Sequence, residues 1–483
     1  MTTTQAVVNG GARSHPIAQI LHHCTQNKNL RGIKAIHAHL LITGLFSFTP
    51  TLQTKIIFAY ATCLPQTSNL LVRTLTNSLK CLNPRNPLLF NSIISGFCEG
   101  GFHSLALHTF SFMHLNGVYI DSYALCSSLT SASCVRSLKF GQKAHAFTVK
   151  SGWFSSVYVG CAMIDLYAKL QCINDAAQLF DEIPVRNSVC ANALISGYTE
   201  AKMWAEALAL ARKMPSLNLE LDNFTFSAAL RACAGLSAVE LGMQVHGCAI
   251  RKIHDMETDV FLQSLLIELY GKCGLVEKAM QVFNMAGFPQ RRVRNRDLVL
   301  WTSMLGALGK NGNYEQVIRL FREMVAEGIK PDGVAFLTVI SACSHTGQVN
   351  LGMEYFESMA RDYGLEHSPE HYSCLIDLLC RAGELNKAWK MVEEASSKGN
   401  SNFTVSMWGA LLNACNDCGN VELGKFAAQR AIELDPNNDG IYVLLSNLYA
   451  RNCMWNEIEQ LREFIRGKGL KKDIGSSWID IVN

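Results

Sequence analysis

Helix breakers and strand signals are what this 483-residue chain has least of. It holds eleven prolines, and alternation of apolar and polar residues at period two is scarce, so a β-rich fold is disfavoured. Charged residues are 17% of the chain against 49% hydrophobic, which excludes intrinsic disorder. Long apolar runs are missing too. The longest uncharged candidate, Ala35–Thr54, is interrupted by His37, His39, Gly44 and Pro50, so no membrane span is expected. Acid is absent from the N-terminal region: the first acidic residue is Glu99, after eight Lys or Arg. Such a basic front end can meet phosphate or serve import, or be a chance run of neutral helices. "MTTTQAVVNGGAR" (1–13) lacks secretory features and has the acid-free, hydroxyl-rich character of a short organelle presequence.

The eighteen cysteines are scattered beside small apolar residues, as in "RACAG" (231–235) and "SACSH" (341–345). That usage predicts buried free thiols in a reducing compartment and no disulfide frame. One C-x-x-C exists, Cys415–Cys418, without a second pair to complete a tetrahedral site. No metal and no cofactor is expected. There is no G-x-x-x-x-G-K loop and no nucleophile signature, so the chain is not expected to be an enzyme.

What the chain has is a repeat. "FNSIISGF" (90–97) returns as "ANALISGY" (191–198), and Asn91–Asn192, Asp121–Asp222 and His145–His246 are each 101 residues apart. A later copy places Thr302 110 residues after Asn192. The cycle divides into units 87–121, 122–156, 157–187, 188–222, 223–259, 260–297, 298–332, 333–368 and 369–403 within an array of about eleven units over 14–403. Within 298–332, Met304, Leu305 and Leu308 are followed by Gly312-Asn313 and by a stripe of Val317, Leu320, Phe321 and Met324. That is helix, turn, helix. A hairpin of this kind cannot bury its stripe alone, so the expected fold is all-α, a right-handed α-solenoid superhelix of stacked helix-turn-helix repeats.

These strings resemble the plant-type pentatricopeptide repeat family with alternating standard, long and short units. "FNSIISGF", "ANALISGY" and "WTSMLGAL" match the standard unit. "FSAALRACAGLSAVELGMQVH" (226–246) matches the long one and "VYVGCAMIDLYAKLQCINDAAQLFDEIPVRN" (157–187) the short one. "MWGALLNACNDCGNVELGKFAAQRAIELDPNN" (407–438) and the stretch 440–481 resemble the tetratricopeptide-like extension motifs that close such arrays, giving an extension over 404–483. The resemblance implies an organellar RNA-binding adaptor for C-to-U editing. No histidine opens the H-x-E of the family's zinc deaminase. An extension-only member would recruit a deaminase in trans, either a DYW-type deaminase or a multiple-organellar-editing-factor protein docking on 404–483. The implied compartment is the mitochondrion, with the chloroplast as alternative. The other functions open to the fold are RNA splicing, stability or translation, and a tetratricopeptide-type protein scaffold.

The resemblance also implies which residues read single-stranded RNA: the fifth and last of each unit, one base per repeat. Asn91 with Asp121 and Asn192 with Asp222 read U, and Ser264 with Asp297 and Thr302 with Asp332 read G. Cys161 with Asn187, and the long units with Cys126, Ser227 and Leu337, receive no base. The target then reads U, two unassigned, U, one unassigned, G, G from 5′ to 3′. The same Asp residues precede new helices and could simply cap them. His145 and His246 are expected to pack or to bond a backbone group, and "QRRVRNR" (290–296) to be a solvated basic loop or a phosphate contact.

Overall fold

The computed structural model describes residues 16–45, 49–64, 69–80, 82, 86–253, 259–286, 297–397 and 405–467. The expected presequence, the basic run 290–296 and the tail beyond 467 lie outside the described residues. The described residues form 26 α-helices and no strand. The chain divides into two compact units, 1–236 and 237–483.

In the first unit, helical hairpins follow one another from Pro16–Gln26 with Leu30–Ile42 to Ser188–Glu200 with Trp204–Lys213, and Asn223–Leu236 closes the series. The second unit opens with Val239–Lys252 and continues through hairpins such as Val260–Lys272 with Val276–Met285 and Leu298–Lys310 with Tyr314–Ala326. It reaches Asp439–Arg451 with Trp455–Gly467. Inside each unit the first helix of one hairpin packs on the first helix of the next. Each unit is therefore a solenoid whose core lies between an inner layer of first helices and an outer layer of second helices.

Local chemistry starts and stops these helices. Asp121, Asn187, Asp259, Asp297 and Asp332 each accept a backbone N–H three residues on, at the start of a first helix. Each such cap satisfies one of the orphan donors of a helix start. The turns inside the hairpins close by one device. A residue at positive φ is followed by an N–H that reaches back five residues: Phe102 to Phe97 O and Asn313 to Leu308 O, both after glycine. The same turn is built with Gln171 and Lys202 at φ 63° and 58°, where the chain accepts left-handed strain to keep the geometry.

Two devices tie long units to the short units that follow. Gly242 sits where Leu269 of the next first helix presses in, and a Cβ there would stand 2.6 Å from a Leu269 methyl. Gly141 and Leu166 repeat the arrangement. The second device is a histidine–tyrosine pair. His145 and His246 pack edge-on against Tyr167 and Tyr270, the packing alternative of the expectation, and their Nδ1 atoms meet the tyrosine hydroxyls at 3.1 and 2.8 Å. His37 and Tyr60 form the same pair at 3.2 Å.

Burial depresses the pKa of His246, and Lys278 depresses it further. A histidine whose folded pKa lies below its unfolded value costs stability when charged. The contribution is therefore complete above the ordinary histidine range and falls as pH drops below about 6.5. The melting temperature of the wild type should decrease between pH 7 and pH 5. A His246→Asn variant should lose part of that slope while Tyr270→Phe loses about 1 kcal/mol at pH 7. Parallel slopes for wild type and His246→Asn would contradict this account.

Candidate nucleic-acid interface

Two asparagine–aspartate pairs in the first unit join the start of one first helix to the start of the next. Asn91 Nδ2 donates to Asp121 Oδ2 at 2.7 Å, while Asp121 Oδ1 accepts the Ala124 N–H at 2.8 Å. Asn192 Nδ2 lies 2.9 Å from both oxygens of Asp222, and Oδ1 also accepts the Thr225 N–H at 2.9 Å. Capping and coupling are thus performed by the same carboxylate.

A carboxylate can only accept, so it fixes which way each asparagine amide points. The NH2 is held against the aspartate and Oδ1 is turned away from it. Asn91 Oδ1 has no partner and is buried, with the residue 5% exposed. Asn192 is more open. Its Oδ1 lies 2.7 Å from the Thr225 hydroxyl, which is also 2.9 Å from Asp222 Oδ1 and has one proton for the two. Each amide is thereby fixed in one orientation, with the acceptor buried in Asn91 and met by the Thr225 hydroxyl in Asn192.

Among the described residues of the second unit this coupling does not recur. Asp297 and Asp332 cap their helices through the Leu300 and Ala335 N–H groups at 3.1 and 2.9 Å. Ser264 Oγ donates to Phe261 O, and Thr302 Oγ1 to Leu298 O and Val299 O. Serine and threonine reach no further than their own turn, whereas asparagine spans the gap to the next helix. The structure therefore couples Asn91 with Asp121 and Asn192 with Asp222, and leaves Ser264 apart from Asp297 and Thr302 apart from Asp332.

One further row of residues had not been singled out in the sequence. From 87 to 346 the second residue of each described first helix is a large apolar side chain facing solvent. In the first unit these are Leu88, Tyr123, Tyr158, Val189 and Phe224, 55–79% exposed; in the second they are Phe261, Val299 and Val334, 48–57% exposed. The fourth residue points inward, as with Phe90, Phe226, Trp301 and Phe336. Positions two and five are one helical turn apart on one face, so each fifth-position polar group stands beside an exposed apolar one. A flat base can stack on such a side chain while its edge meets the polar residue. The signal was present as an apolar residue out of phase with the core stripe.

Among the described residues, cysteine usage departs from the expected free thiols at one place. Cys161 and Cys190 form a disulfide, with Cα atoms 4.6 Å apart. They start adjacent first helices, and lateral packing of those helices brings together residues 29 apart in sequence. Among the described residues no three His, Cys, Asp or Glu side chains gather as a metal site requires. No described helix is long and apolar enough to cross a membrane.

Models of the pentatricopeptide repeat match residues 89–118, 161–188, 186–235, 264–286, 296–345, 334–363 and 364–396, and the E motif model matches 418–480. Over 467 residues the chain is 32% identical to the chloroplastic pentatricopeptide repeat-containing protein CRR2 of Arabidopsis thaliana, covering 95% of this chain and 68% of that protein. The chain belongs to the pentatricopeptide repeat family. A mitochondrial pentatricopeptide repeat-containing protein of Arabidopsis thaliana is 34% identical over 397 residues, covering 82% of this chain and 60% of that one. The chain spans little more than half the length of the first curated relatives it matches. Among solved structures, the pentatricopeptide repeat protein PPR10 from maize superposes with a TM-score of 0.65 at 16% identity, over 97% of this chain and 70% of that one. PPR10 in complex with an 18-nucleotide psaJ RNA element superposes with a TM-score of 0.57 at 13% identity. It covers 96% of this pentatricopeptide repeat chain and 76% of PPR10.

Proposed function

We propose that this pentatricopeptide repeat protein is a single-stranded RNA-binding adaptor that specifies an organellar C-to-U editing site. The observation that carries the reading is the Asn192–Asp222 couple, where a capping carboxylate holds an amide in one orientation beside exposed Val189. Bases stack on the second-position side chains, and the fifth-position groups meet their edges. Asn91 and Asn192 take uracil. Thr302 and Ser264 leave room for guanine, and Asp332 and Asp297 stand at the ends of their units. The chemistry on the edited cytidine belongs to a deaminase of another chain, docked on the extension over 404–483. The fold shared with an RNA-bound relative and the organellar relatives support this reading.

Full-length protein should bind a single-stranded RNA carrying the pattern U, two variable, U, one variable, G, G. Phe224→Ala should weaken binding by about 1–3 kcal/mol whatever the base, because stacking tolerates any base. Organellar transcripts from cells with the gene disrupted should show one cytidine left unconverted. Loss of a transcript or of a splicing event with every edit intact would replace editing by RNA processing. Absence of any RNA binding would leave a protein scaffold.

A further inference from the structure

The short unit 157–187 carries at its reading position a residue that no base assignment covers. Cys161 is the fifth residue of that unit, and Cys190 is the third residue of the next first helix. We propose that Cys161–Cys190 is a thiol–disulfide site that decides whether this unit reads a base, an inference that rests on the RNA-reading role of the fifth position.

The geometry accommodates both redox states. Cys161 Sγ lies 3.5 Å from Asn187 Oδ1, and Asn187 Oδ1 also accepts the Cys190 N–H at 2.9 Å. With a free thiol, Cys161 donates its S–H to the last residue of its unit, and that residue caps the following helix. The arrangement is that of Asn91 with Asp121. The thiol sulfur, a weak acceptor, is then presented to a base. In the disulfide the sulfur carries no proton, the contact with Asn187 is no longer a hydrogen bond, and both sulfurs are held by each other. The unit then offers a base the exposed ring of Tyr158, 79% exposed, and no polar edge from its fifth position. It becomes a spacer that stacks without discriminating.

Access is one-sided. Cys161 is partly exposed on the reading face, whereas Cys190 is fully buried. A small-molecule disulfide such as oxidised glutathione therefore reacts first at Cys161. The Cys161 thiolate, its proton released to solvent, attacks one glutathione sulfur, forming a mixed disulfide and expelling one glutathione thiolate. Cys190 then loses its proton and attacks Cys161 Sγ, closing the protein disulfide and expelling the second glutathione. Two protein thiols are oxidised and one glutathione disulfide is reduced to two thiols. Reduction reverses the sequence, with an external thiolate attacking Cys161 Sγ. The other fifth-position cysteine, Cys126, has no disulfide partner. Burial first and Asp121 second push its thiol up to about 11, so it stays protonated and slow to react.

The test uses the full chain, equilibrated either with oxidised glutathione or with dithiothreitol. It also uses four RNAs that differ only in the base opposite this unit, the third of the seven-base pattern. Peptide mass spectrometry without reduction should find the peptides of Cys161 and Cys190 linked after oxidation and separate after reduction. Reduced protein should spread the four affinities by about threefold or more, and oxidised protein should hold them within about 1.5-fold, a difference on the scale of one weak hydrogen bond. Cys190→Ser should keep the reduced spread in dithiothreitol and, with no Cys190 to resolve it, stop at a Cys161–glutathione mixed disulfide in oxidised glutathione, with no linked peptide; Cys190→Ala should do the same if the serine hydroxyl disturbs packing. Failure to form the linked peptide overturns the proposal, as does a linked peptide with equal spreads in the two states. If the disulfide forms and reduces but no RNA binds in either state, the adaptor reading itself falls and takes the functional claim with it.

Discussion

Asn192→Thr should move the preferred base at unit 188–222 from uracil to guanine if the proposed reading holds. The wild-type amide is oriented by Asp222, and in the proposed reading it meets a pyrimidine edge. Threonine is shorter by the amide and leaves space for a purine, and its single hydroxyl serves one hydrogen bond. The change in discrimination should be about 1–2 kcal/mol, roughly five- to thirtyfold in relative affinity. Asp222 keeps its bond to the Thr225 N–H, so the helix cap survives and folding is little affected. Asn192→Ala is the companion variant: it should lose affinity for the uracil RNA without gaining any for guanine. Two RNAs differing at this one base, titrated against wild type and variants, supply the readout. An unchanged ratio for Asn192→Thr removes the base assignment.

The largest loss of stability is expected from Trp301→Ala. Trp301 is fully buried in the second unit and meets Phe283 of the preceding hairpin edge-on, with ring centroids 5.0 Å apart. Large-to-small changes of this kind cost about 3–5 kcal/mol through lost burial and the cavity left behind. In a solenoid each hairpin contacts its neighbours only, so the damage should be local. Hydrogen exchange should rise across residues 260–326 while protection over 87–236 stays at the wild-type level. Uniform loss of protection along the whole chain would contradict the nearest-neighbour picture.

The all-helical fold was legible because period and punctuation agree. The stripe of Val317, Leu320, Phe321 and Met324 is buried as a set in Tyr314–Ala326, and Gly312 takes the positive φ that ends the preceding helix. Turns without glycine were harder, because Gln171 and Lys202 carry no mark of the left-handed conformation they adopt. Asn91 and Asn192 could be picked from the repeat register, and the structure couples both to the expected aspartates. Ser264 and Thr302 came from the same register, but their side chains are too short to span the gap, a limit that spacing does not express. The His246–Tyr270 and Cys161–Cys190 contacts join residues of different hairpins. Neither could be read from composition, which treated the histidines as packing groups and the cysteines as small buried hydrophobes.

The double duty of Asp121 and Asp222 has a consequence for how such a protein changes its target. Exchange of the last residue of a unit for one that cannot cap also removes the cap of the following helix, at about 1 kcal/mol each, and only a few residues such as asparagine at 187 keep it. Exchanges at the fifth residue leave that cap alone. Retargeting by natural drift or by engineering should therefore run through the fifth residue first, with the terminal aspartates kept as a fixed grammar on which new words are written.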